Sequence, residues 1–414
     1  MPLLERSREA VRHDAPARHN EFRLLLILST LMSLASMSTD MYLPALPVIG
    51  KALHASAGSL ELTFSSFLVG FSLGQLLWGP LADRHGRRLP VAAGVLLFVI
   101  GSAGCAMAGS VWQMMGWRVV QALGASAGPV LARAMVRDLY GREHAARMLS
   151  TLILIMGVAP LAAPLLGGQI VAHGSWRAIF WVLVAFGLLT LVSLRSLPET
   201  LVPAKRSTVP MRGVFAGYLA LVRDPRILGY ALSGGFFYAG VYAFIVGTPF
   251  VYIEYFHVSP QAYGLLFGVN IAGMMLANFV NARLLARFGS ERLYLLGTWV
   301  VALAGVLLAF DAGFGWGGLL GLAVPIFFYL SMNGFIVANS VAAALASFPE
   351  AAGTASSLVG AMHYGSGILS AAMVGWFADG TPWAMAWIMG AAGIGSLVTA
   401  QLLARWRRTA RAGS

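Results

Sequence analysis

The chain has 414 residues, of which 58% are apolar and only 11% charged, and its mean hydropathy is +0.76. A soluble domain carries about 25% charged residues, so this composition excludes a soluble globular protein and indicates that lipid surrounds most of the chain. The formal net charge of +12 does not indicate nucleic-acid binding, because the Lys and Arg residues occur in short segments between apolar runs.

Apolar runs long enough to cross the hydrocarbon core, which takes roughly 20 residues, occur in two groups of six. The first group lies at 22–46, 58–81, 90–110, 112–136, 147–172 and 177–197. After a polar linker at 198–225, the second group lies at 227–253, 260–285, 292–312, 316–346, 352–377 and 382–404. The pattern predicts an all-α integral membrane protein with twelve transmembrane helices in two six-helix bundles, residues 22–197 and 226–404, and with tails at 1–21 and 405–414.

The distribution of basic residues predicts the orientation, because Lys and Arg are concentrated in cytoplasmic loops. With the N-terminus in the cytoplasm, 25 of the 28 Lys and Arg residues fall on that side, Lys51 and Arg177 fall outside, and Arg118 lies within the membrane. We therefore expect a bacterial inner-membrane protein whose termini and linker are cytoplasmic. Residues 1–21 are interpreted as a tail, because the apolar run after them is much longer than the core of a signal peptide.

Charged residues at membrane depth are the first functional candidates, because inserting one costs about 2.5 kcal/mol or more. Asp40 lies in the first predicted helix, roughly 25 Å from Arg23 at 1.5 Å per residue. Pro44 and Pro47 follow it and are expected to break or kink the helix. Burial favours the protonated form of a carboxylic acid, so Asp40 is a candidate for proton uptake and release. The alternative is a solvated or capping Asp at the membrane surface.

Arg118, in the fourth predicted helix, is the second charged candidate. Gln121 lies one turn away on the same helix face. A guanidinium that stays charged can respond to the protonation state of Asp40, or hold an anionic or polar group of a substrate. The alternative is an Arg that extends its head group to the outer surface.

The loop between the second and third predicted helices reads GPLADRHGRR, from Gly79 to Arg88. Its glycines permit tight turns, and Asp138 at the end of the fourth helix is an expected partner of Arg87. Such a charge cluster can hold one conformation and release another, although positive-inside topology alone would also explain the arginines. The residues of this predicted latch are Gly79, Asp83, Arg84, Gly86, Arg87 and Asp138.

The fifth predicted helix contains GVAPLAAPLLGG from Gly157 to Gly168. Pro160 and Pro164, together with the pair Gly167 and Gly168, predict a helix that bends and packs closely. A structural kink without a functional role is the alternative.

The second half offers aromatic and amide groups rather than deep charges, which suits a largely apolar cavity for lipophilic molecules. Each of these residues taken singly is also compatible with ordinary helix packing. The residues predicted to bind substrate, over both halves, are Asp40, Tyr42, Arg118, Gln121, Tyr238, Tyr242, Asn270, Asn333 and His363.

Motifs for other sources of energy or chemistry are absent from the sequence. It contains no GxxxxGK[ST] loop for ATP, no HExxH, and no Cys or His cluster with metal-ligand spacing. The single Cys105 excludes an intramolecular disulfide. We expect no cofactor and no bound metal, and an ion gradient as the source of energy.

With these residues identified, the chain resembles the twelve-helix drug:proton antiporters of the bicyclomycin and chloramphenicol resistance family, within the major facilitator superfamily. The matching segments are DMYLPALP from Asp40, GPLADRHGRR from Gly79, RVVQALGAS from Arg118, ARAMVRDLY from Ala132, APLLGG from Ala163 and LPET from Leu197. The resemblance covers most of residues 22–200, and residues 226–414 match mainly in pattern and length.

The resemblance implies alternating access between two bundles and export coupled to proton entry. It implies that Asp40 carries the proton or contacts substrate, that Arg118 is its electrostatic partner, and that Asp83, Arg87 and Asp138 form a cytoplasmic latch. This chain departs from the family pattern at Ala163, which stands where the antiporter motif usually has Gly. Met32 also stands where some relatives have a second acid.

Two other classes of function stay open at this point. One is a same-fold carrier for metabolites, sugars or siderophores, and the other is a membrane receptor or scaffold that transports nothing. A channel is disfavoured by the placement of the charges, and an integral-membrane enzyme by the lack of a catalytic constellation. The expected partners are a small-molecule substrate, protons and membrane lipid, with no nucleic acid, and the protein is expected to be monomeric.

Overall fold

The computed structural model describes residues 18–208, 211–348 and 352–412, and over these residues the regular elements are helices. The first half contains α1 (Arg18–Asp40), α2 (Leu46–Leu53), α3 (Ala57–His85), α4 (Arg88–Met107), α5 (Val111–Ala125), α6 (Ala127–Leu139), α7 (Arg142–His173) and α8 (Trp176–Ser193). Short 3-10 turns lie at Leu43–Ala45, Leu194–Ser196 and Pro203–Lys205.

The linker contains one helix, α9 (Met211–Val222). The second half contains α10 (Pro225–Thr248), α11 (Pro260–Phe288), α12 (Ser290–Phe314), α13 (Gly318–Ser331), α14 (Asn339–Ala346), α15 (Ala352–Trp376) and α16 (Trp383–Ala412). Two π-helical segments, Pro249–Tyr255 and Gly334–Ala338, extend α10 and join α13 to α14.

The helices have the lengths and compositions that a multi-pass membrane protein requires. Among the described residues, 11 helical spans are long and apolar enough to cross a membrane. The fifth predicted span corresponds to α7, whose 32 residues extend about 48 Å at 1.5 Å per residue. Leucines such as Leu265, Leu276 and Leu320 are more than 60% exposed on the outside of the bundle, where lipid would cover them. The predicted all-α membrane fold is confirmed.

The first transmembrane span is interrupted where the sequence predicted a break. Helix α1 ends at Asp40, a 3-10 turn follows at Leu43–Ala45, and α2 continues from Leu46. Pro44 and Pro47 lack the N–H that an uninterrupted helix would use. The break places the Asp40 carboxylate at the end of a helix and not in the middle of one.

The two halves meet along two helix pairs, α3 with α15 and α7 with α11. We call the end of the molecule with α9 the linker side and the end with α2 the far side. On the far side, a Cβ atom placed on Gly58 would lie only 2.3 Å from the carbonyl oxygen of Gly375. A Cβ atom on Gly168 would lie 3.1 Å from the carbonyl oxygen of Pro260. The halves are therefore in close contact on the far side.

On the linker side, a cavity of about 530 Å³ lies between the halves. Its walls come from the ends of α3 and α6, the starts of α7 and α15, and the linker with α9. The structure is thus closed on the far side and has an opening on the linker side.

The linker contains a packed helix, α9, that the sequence analysis did not predict. Tyr218 and Leu221 of α9 form a small buried cluster with Ile227, Ala355 and Leu358 of the second half. The Tyr218 hydroxyl also donates a hydrogen bond of 3.3 Å to the carbonyl of Leu76 in α3. Apolar residues between the prolines and arginines thus form a helix that contacts both halves.

Candidate transport site

Arg118 is the largest fully buried side chain in the described part of the protein, with 0% exposure. It lies on α5, and its Nη1 donates to the carbonyl oxygen of Ser38 at 2.9 Å and to Oε1 of Gln121 at 2.8 Å. Nε2 of Gln121 donates in turn to the hydroxyl of Ser102 at 2.9 Å. A cation far from water is therefore connected to α1 and α4 through a short hydrogen-bonded chain.

Two aromatic rings enclose the Arg118 guanidinium. Its Cζ lies 4.6 Å from the ring centroid of Tyr42 and 4.4 Å from that of Phe67. Its Nε and Nη2 have no hydrogen-bond partner within the described structure. Cation–π contacts stabilise such a charge in part, but unpaired N–H donors in a buried site are unfavourable. This arrangement leaves two donors available to a carboxylate or to a substrate oxygen.

Asp40 is also buried, at 6% exposure. Its Oδ2 accepts a hydrogen bond of 2.5 Å from the Ser36 hydroxyl, and its Oδ1 accepts one of 2.9 Å from the Thr39 hydroxyl. The ion pairs between described residues do not include Asp40 with Arg118. The expected electrostatic pair is therefore not in contact in this conformation, because Arg118 binds the backbone of α1 and Asp40 binds hydroxyls.

Tyr42 lies close to the same site. Its hydroxyl is 2.5 Å from Oγ1 of Thr63, and its ring lies 5.8 Å from that of Phe180. The predicted residues Asp40, Tyr42, Arg118 and Gln121 thus lie in one region, at the break in the first span.

The predicted aromatic residues of the second half form a cluster. Tyr238 stacks on His363 at a centroid distance of 5.0 Å and on Tyr242 at 5.9 Å, and it lies 6.3 Å from Tyr364. Phe71 of the first half lies 4.4 Å from Tyr364. The cluster therefore lies at the interface of the two halves, where a substrate between them would contact it.

The two predicted asparagines lie elsewhere. The Asn270 side chain donates to the carbonyl of Leu266 on its own helix, at 3.1 Å, and lines a separate groove with Tyr252 and Phe327. Asn333 immediately precedes the π-helical segment Gly334–Ala338. Neither is among the described ring or hydrogen-bond contacts of the aromatic cluster, so a role for them in substrate binding stays a prediction.

Two of the predicted latch residues, Asp83 and Asp138, bind Arg87. Its Nε donates to Oδ2 of Asp138 at 2.7 Å, and its Nη1 donates to Oδ1 of Asp83 at 2.5 Å. Gly86 has φ +90°, a conformation that favours glycine. Arg84 is exposed, and Gly79 lines the cavity on the linker side. These contacts join α3, α4 and α6 within the first half.

Glu199 completes this network, although it was noted only as part of the LPET segment. Its carboxylate accepts hydrogen bonds from the backbone N–H of Arg87 at 2.8 Å and of Arg88 at 3.2 Å, at the start of α4. Burial raises the pKa of Glu199, but these bonds and one from the N–H of Leu201 outweigh it and hold the pKa below its usual value. Thr200 also donates to Asp138, at 3.2 Å.

The fifth transmembrane helix packs closely, as its glycines predicted. A Cβ atom on Gly167 would lie 2.1 Å from the carbonyl oxygen of Met41 in the first span. Helix α7 continues through Pro160 and Pro164. Gly157 lies in α7 within 153–158, whose side-chain surroundings are outside the described structure.

The comparison with known families agrees with this geometry. A family model described as Major Facilitator Superfamily matches residues 28–255 and 230–414. A bicyclomycin resistance protein homolog from Haemophilus influenzae is 32% identical, over 89% of this chain and 93% of that protein. A chloramphenicol resistance protein from Pseudomonas aeruginosa is 34% identical, over 81% of this chain and 80% of that protein. The chain belongs to the bicyclomycin and chloramphenicol resistance family of the major facilitator superfamily.

A relative of lower identity and a solved structure also resemble this chain. Multidrug resistance protein D of Escherichia coli is 28% identical, over 85% of this chain and 89% of that protein. Among solved structures, a D-xylose-proton symporter superposes with a TM-score of 0.77 at 17% identity and covers 92% of this chain and 97% of that chain. At that identity the similarity concerns the fold alone.

In this member of the family, three charged residues lie at the cavity, at a helix start or between the halves, although the sequence did not mark them as functional candidates. Arg133 lines the cavity on the linker side, and its exposed side chain donates from Nε to the carbonyl of Pro129 at 2.7 Å. Glu199 caps α4, and Glu61 is buried between the halves. The only signal for Arg133 was the ARAMVRDLY segment, and no local pattern distinguished Glu61 from a surface glutamate.

Proposed function

We propose that this protein exports small, mostly lipophilic drug-like molecules across the bacterial inner membrane in exchange for protons. The linker side faces the cytoplasm, and the protein acts as a monomer that transports and does not catalyse. The observation that carries the proposal is the buried Arg118, which is bonded to the turn of α1 that also bears Asp40. Two ionisable groups within the membrane, beside the interface of two halves, are the elements that a proton-driven exchanger needs.

In this proposal, substrate enters the cavity on the linker side and reaches the aromatic cluster around Tyr238. Loss of the Asp40 proton to the cytoplasm leaves a carboxylate that attracts the unpaired N–H groups of Arg118. Opening of the far side then lets a proton return to Asp40, which weakens that attraction and favours release. Each proton that enters contributes about 2.3 kcal/mol per 100 mV of membrane potential, and no cofactor is required.

The substrate class follows from the chemistry of the site. The clustered rings of Tyr238, Tyr242 and Tyr364 favour planar or apolar groups. Arg118 and the hydroxyls around Asp40 offer a few directed hydrogen bonds, as binding sites for lipophilic molecules commonly do. The names of the relatives, which refer to bicyclomycin and chloramphenicol resistance, make these two compounds the first to test.

Everted membrane vesicles provide the test, because their cytoplasmic face is outside. When the vesicle lumen is acidified, an exporter that exchanges substrate for protons accumulates labelled chloramphenicol or bicyclomycin in the lumen. An uptake carrier of the same fold, coupled to protons as a symporter, would lose substrate from the lumen under the same gradient. Abolition of accumulation by a protonophore is the expected control result.

A further inference from the structure

Glu61 is a buried acid that the proposed mechanism does not use. It lies in the second turn of α3 and is 2% exposed. Its Oε2 has no hydrogen-bond partner within the described structure. An ionised carboxylate in such a place would lack both water and a counter-charge, and this is strongly unfavourable.

The burial of Glu61 depends on contact between the two halves. A Cβ atom on Gly375 of α15 would lie 3.1 Å from Oε2 of Glu61 and 3.3 Å from its Cβ. Next to it, the backbones of Gly58 and Gly375 approach so closely that a side chain on either glycine would collide with the backbone of the other helix. Separation of α3 and α15 on the far side would therefore expose the carboxyl to water.

Other charges do not compensate for Glu61. The Glu61 carboxyl is shielded from water by burial. Within the described residues, no charged or titratable side chain faces it from α3, from α15 or from the other helices packed on α3. The nearest charged groups along the chain, Lys51, His54 and Asp379, are exposed on the far side. The contact between α3 and α15 is thus compatible with a neutral Glu61 and not with an ionised one.

We propose that Glu61 is a second proton-binding site, occupied while the far-side ends of α3 and α15 are in contact and vacated when they separate. The proton moves between Oε2 and water on the far side and returns by the same route, so it is not carried across the membrane. A hydrated glutamate is ionised at neutral pH, since its reference pKa is about 4.3. The closed state therefore holds one more proton than the open state.

The consequence is a pH-dependent closure of the far side. Because closure takes up one proton, the ratio of closed to open molecules should rise by up to about tenfold for each unit by which the far-side pH falls. This inference rests on the alternating access of the proposed function, but not on proton coupling through Asp40.

The experiment measures the distance between the far-side ends of α3 and α15. Spin labels are placed at Ser56→Cys and Ala378→Cys, both exposed positions, in a Cys105→Ser background. Asp40→Asn is included so that titration of Asp40 does not contribute. Double electron–electron resonance in nanodiscs then gives the closed fraction from acidic to alkaline pH.

The expected result is a closed fraction that grows as the pH falls. Glu61→Gln should stay closed at every pH, because its neutral amide imitates the protonated acid, whereas Glu61→Asp should keep a pH-dependent closure. Glu254→Gln, a matched change of an exposed far-side glutamate, should behave like the parent. Because both Glu61→Gln and Glu61→Asp are measured, a folding defect in one of them does not leave the proposal untested.

A pH-dependent closure that persists unchanged in Glu61→Gln would overturn the inference. A closed fraction that does not depend on pH in the parent would also overturn it. These results are distinguishable from a failure of the proposed function, which the vesicle assay measures separately. Intact proton-driven export together with pH-independent closure would remove Glu61 alone from the account.

Discussion

Nη1 of Arg118 donates a hydrogen bond to the carbonyl oxygen of Ser38, two residues before Asp40, at 2.9 Å. The guanidinium is thus bound to the backbone of the helix turn that carries the acid. Nε and Nη2 of Arg118 have no partner in the described structure, and we propose that a change of conformation during transport brings the ionised Asp40 carboxylate to these donors.

Replacement of Arg118 should stop proton-driven export. Arg118→Ala removes the charge and both hydrogen bonds, so accumulation in everted vesicles is expected to fall to background. Arg118→Lys should restore only part of it, because a single ammonium group does not reproduce the planar array of donors. Arg177→Ala is the matched control, since Arg177 also contacts a ring, that of Trp176, and a backbone carbonyl, but lies outside the site. Full activity of Arg118→Ala would contradict the role of the guanidinium.

Truncation of the aromatic cluster should weaken substrate binding. Tyr238→Ala removes ring contacts to Tyr242, His363 and Tyr364. With about 0.5–1.5 kcal/mol per aromatic contact, the apparent KM for chloramphenicol should rise roughly 2- to 12-fold. Tyr255→Ala, which truncates an exposed ring, should leave the KM unchanged. An equal effect of both variants would show that the cluster is not a binding surface.

The two acids that bind Arg87 should contribute unequally to stability. Asp138→Asn should lower the free energy of unfolding by about 2 kcal/mol, because it weakens a charged hydrogen bond to a mostly buried arginine. Asp83→Asn should cost less than about 1 kcal/mol, since its side chain is 51% exposed against 18% for Asp138. Thermal unfolding in detergent measures both. The reverse order would mean that exposure does not govern the strength of these pairs.

Loss of the Glu199 cap should destabilise the start of α4. Glu199→Gln is expected to cost about 1 kcal/mol, less than the roughly 1.5–3 kcal/mol typical of hydrogen bonds to charged groups, because the carboxylate is exposed to water. Since its folded-state pKa is lowered, this stabilisation is complete above the unfolded-state pKa, about 4.3, and is lost as the pH falls through the folded-state value. The melting-temperature difference between Glu199→Gln and the parent should therefore shrink in acid. A difference that grows in acid would contradict the cap.

Local patterns were sufficient to predict the helices and part of the site. Hydrophobic run length predicted the spans, because each helix must satisfy its own backbone within lipid. Pro44 and Pro47 predicted the break after Asp40, and opposite charges at matching helix ends predicted the contact between Arg87 and Asp138. Each of these inferences needs only a short segment of sequence, or two opposite charges at helix ends on the same side of the membrane.

Residues whose environment depends on distant segments could not be predicted in this way. Glu61 is buried only because Gly58 approaches Gly375 of the other half. Arg118 donates to the carbonyl of Ser38 on another helix, and the sequence predicted instead a pairing with Asp40. Glu199 caps a helix that begins more than 100 positions earlier in the chain, and sequence spacing gives no indication of that contact.

Release of protons by the purified protein on addition of substrate would show directly that substrate and proton compete through Asp40. Wild-type protein in weakly buffered detergent solution with a pH indicator should release protons when chloramphenicol is added, since substrate binding and protonation of Asp40 exclude each other. Asp40→Asn, whose neutral amide imitates the protonated acid, should bind the compound more weakly and release no protons even at saturating concentrations. Asp379→Asn, a change of an exposed acid on the far side, should release as many as wild type. Equal proton release by Asp40→Asn and wild type would contradict the account.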